Sequence, residues 1–481
     1  MTLERVGGPL AGFGLALLLA GRTRAERLAG LALAAVGGGL LAAPLVPAGE
    51  ELRVALAGLA VLAIAAATAF ALRRWPWALA FGALALIPAR IPVNVGGSTT
   101  KLLLPLYVLV GGAVLSLALD LVRGDARSRE LGPIALPLAA SVAWTGLSLA
   151  WSRDVHEGTV ELLAFYLPLT FLAVGIARLP WRARPLGWLH IQLAAMALLF
   201  AGIGFYQYET RDIFQNPKVV VGNAYAPFYR VNSVFWDPSI YGRFLVEAII
   251  ASLVLVLRGR SERLVLGAAA AIVVTWLGLL ISFSQSSFAA LIVAVLGAAA
   301  IAWRWRAAAA VGLVAVVLVS VGVSAPQVRH ELFKKSRAGL NNATSDRASL
   351  VSNGIRIAVH HPVVGVGVGG FKRAYADRAG LHGRKPKVAA SHNTPVTVAA
   401  ESGFPGLALF VWLVAAALLA SFRRLGQSFE ARAATVFGLA LAAIVVHSLF
   451  YNDFFEDPTT WGLLGLAALA AATARGEPAA E

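Results

Sequence analysis

Fifteen apolar runs, most of them near the length that spans a bilayer, follow one another along this chain. They lie near residues 6–21, 28–47, 54–72, 75–90, 102–122, 133–151, 160–177, 186–206, 239–257, 264–282, 286–303, 307–325, 394–421, 433–450 and 459–474. A hydrocarbon core of ~30 Å is crossed by about 20 apolar residues in a helix. Inside it every backbone N–H and C=O must be satisfied internally, so the spanning form is a helix or a closed barrel. A barrel strand alternates polar and apolar residues. These runs are continuous in Ala, Leu, Val and Gly, so the expectation is an all-α polytopic membrane protein with about 14–15 transmembrane helices. Only 14% of the residues are charged and the mean hydropathy is +0.74, too few charges to solvate the surface of a soluble domain. The first run reads as one span among many rather than as a cleavable signal.

The short loops give an orientation. "RTRAER" (22–27), "RR" (73–74), "RGDARSR" (123–129), "RLPWRAR" (178–184), "RGRSER" (258–263), "RWR" (304–306) and "RR" (423–424) fall at every second gap. By the positive-inside rule they face the cytoplasm, which puts the N-terminus outside, the C-terminus inside, and the gaps 207–238, 282–286, 326–393 and 450–458 outside. The chain reads as one transmembrane domain over 1–481, with no soluble domain, low-complexity linker or internal repeat.

The net charge of +16 invites a nucleic-acid partner, but about half of the basic residues are this orientation signal, and that reading is set aside. The informative excess sits in the long loop 326–393, where Arg347, Arg356, Lys372, Arg373, Arg378 and others outnumber Glu331, Asp346 and Asp377. Long loops are exempt from the positive-inside rule. The excess is either a face solvated near anionic headgroups or a collector of anionic substrate. With no cysteine in the chain, thiol and zinc-thiolate chemistry is excluded.

Within this loop, "DRASLVSNGIRIAVHHP" (346–362) has apolar residues at helical spacing and stops at Pro362, which predicts a short helix capped by Ser345 or Asp346. "GVGVGG" (365–370) satisfies the dinucleotide fingerprint. That pattern carries meaning only between a strand and a helix, so it is read as a glycine turn letting backbone approach something closely.

Polar residues gather at the level of the outside gaps: His392 and Asn393 before one span, Arg243 just inside another, and Ser282, Ser284, Gln285 and Ser286 in a tight turn. His447, Asn452, Asp453, Glu456 and Asp457 bracket the last hairpin. A shared outer pocket is therefore expected. An arginine within a span is costly unless it faces a polar cavity or partner, or snorkels to the headgroups. His392 is either a helix-capping histidine or a proton acceptor suited to neutral pH. Glu401, about two turns into its span, either orients basic residues or the histidine, or is bonded within the bundle. No ligand spacing completes a metal site around His360 and His361.

The ordered string "SFSQSSFAAL" (282–291), "SDRASLVSNGIRIAVHHPVVGVGVGGF" (345–371), "SHNTPVTVAAESGFPGLALFVWL" (391–413) and "HSLFYNDFFEDPTTWGLLGLA" (447–467) resembles the O-antigen ligase and O-antigen polymerase superfamily of bacterial membrane glycosyltransferases, over roughly the C-terminal half. The resemblance implies a GT-C-like helical bundle in the bacterial cytoplasmic membrane whose site faces outside, with the long loop 326–393 carrying part of it. It implies transfer of glycan from an undecaprenyl-pyrophosphate carrier to an acceptor hydroxyl on a glycan, lipid or other molecule, without metal, cofactor or nucleotide sugar.

On that pattern His392 is the catalytic base and Arg347 contacts the pyrophosphate, with Asn393, Glu401 and Ser284 in support. The chain departs from the family where Ser-Arg is usual and Ser284-Gln285 stands here. Gln285 brings no charge to the pyrophosphate, so Arg243 and Arg230 are the candidates to supply it. The competing expectation is a carrier or exporter of lipid-linked glycan without catalysis.

Overall fold

The computed structural model describes residues 2–303 apart from 47–48, 96–97, 215, 226–227 and 260, then Gly312, residues 347–380, and residues 390–474 apart from Arg424. Eighteen helices and one hairpin carry the argument. The first half holds α1 (Leu3–Ala20), α2 (Arg24–Ala42), α3 (Glu51–Arg74), α4 (Ala78–Leu86), β1 (Ile91–Val95), β2 (Ser98–Leu102), α5 (Leu104–Val122), α6 (Ala135–Ser148), α7 (Val155–Glu161), α8 (Leu167–Ala177), α9 (Ala183–Thr210) and α10 (Pro217–Tyr225). The second half holds α11 (Pro238–Arg258), α12 (Glu262–Ser282), α13 (Gln285–Trp303), α14 (Arg347–His360), α15 (Phe371–Arg378), α16 (Thr394–Phe422), α17 (Phe429–Ser448) and α18 (Pro458–Ala474).

Twelve helical stretches among the described residues are long and apolar enough to cross a membrane, and each coincides with one of the expected runs. The run at 459–474 forms the 17-residue α18. The run at 307–325 lies outside the described residues except for Gly312.

The run at 75–90 departs from expectation, because only nine residues of it are helical. Pro76 and Pro88, which lack an N–H and fix their φ, bracket α4 with turns. The segment still joins the two ends of the bundle: Trp77 donates to the Pro180 carbonyl (3.2 Å) at one end and Arg90 to the Glu456 carbonyl (3.4 Å) at the other. It leads into the antiparallel hairpin of β1 and β2, in which Ile91 faces Leu102.

The bundle has a central helix and lipid-like flanks. In α11 every residue from Pro238 to Ser252 is buried, as expected of a helix enclosed on all sides. By contrast, α3 exposes Leu52, Leu59 and Phe70, and α12 exposes Leu264, Leu266 and Val273. Apolar faces of this extent call for a covering that water does not provide.

Among the described residues, arginines of the short basic loops tie neighbouring loops and helix ends together. Arg27 pairs with Glu130 (2.6 Å), Arg178 with Glu130 (2.6 Å) and Asp120 (3.1 Å), and Arg24 donates to the Leu121 carbonyl (2.6 Å). Arg432 donates to the Arg258 carbonyl (2.8 Å), whose own side chain reaches the Ile301 carbonyl (3.1 Å). Further ties run from Arg5 to the Ala150 carbonyl, Trp151 to the Val364 carbonyl and Asn393 to the Leu449 carbonyl. Asn393 is one of the polar residues expected to share a pocket.

Candidate active site

The site begins with a break in α16. Gly403 has φ 68°, off the helical path, and a Cβ there would lie 2.4 Å from the Val363 carbonyl oxygen. Into this break docks the loop between α14 and α15. Val366 donates to the Ala400 carbonyl (2.9 Å), Gly367 to the Glu401 carbonyl (2.8 Å) and Phe404 to the Pro362 carbonyl (2.7 Å).

The "GVGVGG" glycines are what make the docking possible. Gly365, Gly367 and Gly369 have φ of 67°, 83° and 71°, and a Cβ on them would meet the backbone of Glu401, Ser152 and Gly158, respectively, at 2.3 Å. The backbone that the turn approaches is thus the protein's own. The Glu401 carboxylate completes the clasp, accepting from the Phe371 amide (3.1 Å) and also from Gly369. Glu401 is therefore bonded within the bundle, where it holds the loop in place.

The loop helix forms where the spacing predicts it, over Arg347–His360, with Leu350, Gly354, Ile357 and Ala358 buried. Its expected caps Ser345 and Asp346 lie outside the described residues, as do Arg329, Lys334, Lys335, Arg337, Arg384, Lys385 and Lys387 of the basic loop.

The helix α14 packs on the first turn of α16, where a Cβ on Gly354 would lie 2.6 Å from Val396, and the charge of Arg347 is felt at His392. Asn393 is the N-cap of α16, its side chain accepting from Val396 N (3.0 Å) while its amide donates to the Leu449 carbonyl. The residue before it, His392, is half-buried in the left-handed region at φ 57°. Such a conformation is uncommon for a residue with a side chain and is a place where strain accompanies function.

Among the described residues neither His392 ring nitrogen has a hydrogen-bond partner. The imidazole centroid stands 6.2 Å from that of Tyr451, and the His447 ring lies 5.7 Å from the same tyrosine. Burial, and secondly the Arg347 charge, push His392 below the ordinary imidazole range, with the Asp237 carboxylate opposing them. The ring is therefore neutral at physiological pH, able to accept a proton.

Arg230 shares two of these neighbours, Asp237 and Arg347. Its Nε donates to the Ser282 carbonyl (3.2 Å), and its backbone is clasped by the Asn223 side chain (2.9 and 3.0 Å). Burial pushes its guanidinium below the usual range; Asp237 opposes this and Arg347 adds to it. Among the described residues neither Arg230 nor Arg347 forms a salt bridge with a carboxylate, and the two like charges act on each other.

Arg243 is differently placed. It is 2% exposed, pairs with Asp453, and lies 2.9 Å from an Asp457 oxygen. Its charge is already matched by two carboxylates, and its effect is to fix the 449–457 loop that carries Tyr451 against α11.

Ser284 is buried 2.8 Å from Ser287 Oγ and 3.1 Å from Ser286 Oγ. Ser287 and His447 both donate to the Ser239 carbonyl (3.3 and 3.2 Å), which ties the α12–α13 turn and α17 to the start of α11. Gln285 is exposed at the first position of α13.

Three residues escape the sequence reading. Asp237 caps α11, accepting from Ser239 N (2.7 Å); the Asp-Pro-Ser start signals a helix, not a site residue. Tyr451 lies within a motif already singled out, beside Asn452 and Asp453. Arg90, bonded to the Glu456 carbonyl, gives no local signal.

No curated protein matches the chain. The family model described as O-antigen ligase matches residues 270–411, from α12 through the break in α16. This stretch carries Ser284, Gln285, Arg347, His392, Asn393 and Glu401, and the match over it supports the resemblance of the chain to the O-antigen ligase superfamily.

Proposed function

We propose that the protein is a membrane glycosyltransferase that moves a glycan from an undecaprenyl-pyrophosphate carrier to an acceptor hydroxyl at the outer face of the bacterial cytoplasmic membrane. The observation that carries this reading is the position of His392. It is half-buried and without a hydrogen-bond partner among the described residues, and it feels the charge of Arg347, which in turn acts on Arg230.

In this reading His392 takes the proton of the acceptor hydroxyl as its oxygen attacks the anomeric carbon. The bond from that carbon to the pyrophosphate oxygen breaks, and the electron pair leaves with the lipid diphosphate. Negative charge grows on that leaving group, where the forks of Arg347 and Arg230 meet it. Arg243, matched by Asp453 and Asp457, positions the Tyr451 loop in this scheme. Asn393 caps the helix that presents His392, Glu401 holds the glycine loop, and Ser284 holds the α12–α13 turn. Gln285, uncharged and exposed, serves as a hydrogen-bond donor at the rim.

The test is acceptor dependence. Purified protein in nanodiscs is given undecaprenyl-pyrophosphate-linked oligosaccharide with chelator present, and release of the lipid diphosphate is followed. Release that requires an added hydroxyl acceptor supports transfer. Donor that stays intact with every acceptor class, although bound, would favour a carrier.

A further inference from the structure

Phe283, the residue that ends α12, has φ 47°. Helices that stop in the left-handed region usually do so on glycine or asparagine, because a bulky side chain is strained there. The phenylalanine is also not sheltered. It is 38% exposed, and the ring it stacks on, that of Phe228, is 43% exposed, with centroids 4.5 Å apart and planes at 22°. Folding gains little from such a pair.

Its address is specific. Phe228 precedes Arg230 by two residues, and Phe283 follows Ser282, whose carbonyl accepts from Arg230 Nε. Alongside, α10 is clasped to Arg230 by Asn223 and exposes Val220 and Val221. A flat aromatic pair thus adjoins a cation that has no carboxylate salt bridge among the described residues, with the exposed Val220 and Val221 on the helix clasped to it.

We infer that the Phe228–Phe283 pair binds the first isoprene units of a polyprenyl diphosphate whose phosphates lie on Arg230. The planar trisubstituted double bonds nearest the diphosphate match an aromatic face in shape and polarity. The adjoining positive charge selects an anionic polyprenyl lipid over the neutral acyl chains of the bilayer. The two rings with Val220 and Val221 offer the isoprenoid chain apolar area to cover. The inference rests on the donor proposed above and assigns two residues to recognition of its lipid part.

The experiment compares the full chain with Phe283→Gly and Phe228→Ala in phosphatidylcholine nanodiscs, titrating farnesyl diphosphate, geranyl diphosphate and inorganic pyrophosphate. Wild type is expected to bind farnesyl diphosphate about tenfold or more tightly than pyrophosphate, as burial of five or more carbons implies. In either variant that advantage should shrink several-fold while pyrophosphate affinity stays unchanged. Phe283→Gly should also melt at the same or a higher temperature, since glycine relieves the left-handed strain.

Unchanged farnesyl diphosphate binding in both variants would overturn the inference and leave the proposed donor standing. So would a parallel loss of pyrophosphate affinity and stability, which marks a purely structural pair. Tight wild-type binding of pyrophosphate with no gain from the isoprenoid would show an anion site alone and overturn it as well. Absence of any binding by wild type would remove both the inference and the donor reading.

Discussion

The Glu401 carboxylate accepts a 3.1 Å hydrogen bond from the amide of Phe371, thirty positions earlier in the chain, and so fastens the glycine loop into the break of α16. This contact connects the loop that follows α14, and with it the Arg347 helix, to the helix that presents His392.

Glu401→Ala is expected to lower stability by about 1–3 kcal/mol, the cost of leaving buried amides without an acceptor. Glu401→Gln, which keeps one acceptor oxygen, should fall in between. Thermal unfolding in detergent measures both. Activity should decline in step with stability, unlike a substitution at His392.

Arg243→Ala leaves Asp453 and Asp457 buried without their cation, and about 3–5 kcal/mol of stability should be lost. The double variant Arg243→Ala with Asp453→Asn should lose less than the sum of the two singles, because the second change removes a carboxylate already unmatched. A double-mutant cycle by denaturant or heat reads this coupling.

The pH profile of donor release should report His392. A base works when unprotonated, and burial with the Arg347 charge lowers this group's pKa. The acid limb should therefore fall below the ordinary imidazole value of about 6.5 and the rate be flat by pH 7. Arg347→Gln removes the repelling charge and should move the limb upward, whereas Asp237→Asn removes the attracting one and should move it down. Rates from pH 4.5 to 8 for the three proteins check the order.

Glu456 gives a second pH signal, in stability. Burial first, aided by Asp453 and Glu157 and opposed by Arg90, raises its pKa to about 7. The unfolded chain ionises this group near 4.3. A raised folded pKa favours the native state below the unfolded value, and that contribution is lost as pH rises through about 7. Glu456→Gln should be more stable relative to wild type at pH 8 than at pH 4, as read by melting temperature.

The parts of this protein legible in its sequence are those written in local pattern. Apolar runs located the spans because a bilayer imposes one length, and the alternation in 346–362 gave α14 because a helix with one buried face repeats every few residues. The 75–90 run misled, because hydropathy there is continuous while Pro76 and Pro88 interrupt the hydrogen-bond ladder. Pairings between distant residues were hidden. The partners of Arg243 stayed open in the sequence because Asp453 and Asp457 lie more than two hundred positions away, and Glu401 read as ambiguous because its partner is a backbone amide, which no side chain announces. His392 was visible in its motif; its left-handed φ and the lack of a hydrogen-bond partner for its ring among the described residues appear only in three dimensions.

The most direct measurement is a pair of assays on His392→Ala and wild type in nanodiscs: affinity for the undecaprenyl-pyrophosphate-linked oligosaccharide, and lipid diphosphate released per turnover in the presence of acceptor. With His392 as the base and Arg347 and Arg230 as the phosphate contacts, the variant should bind donor within about twofold of wild type. Its release should fall by about 10²–10⁴, the contribution typical of a general base. Release at the wild-type rate from the His392→Ala protein would contradict the account.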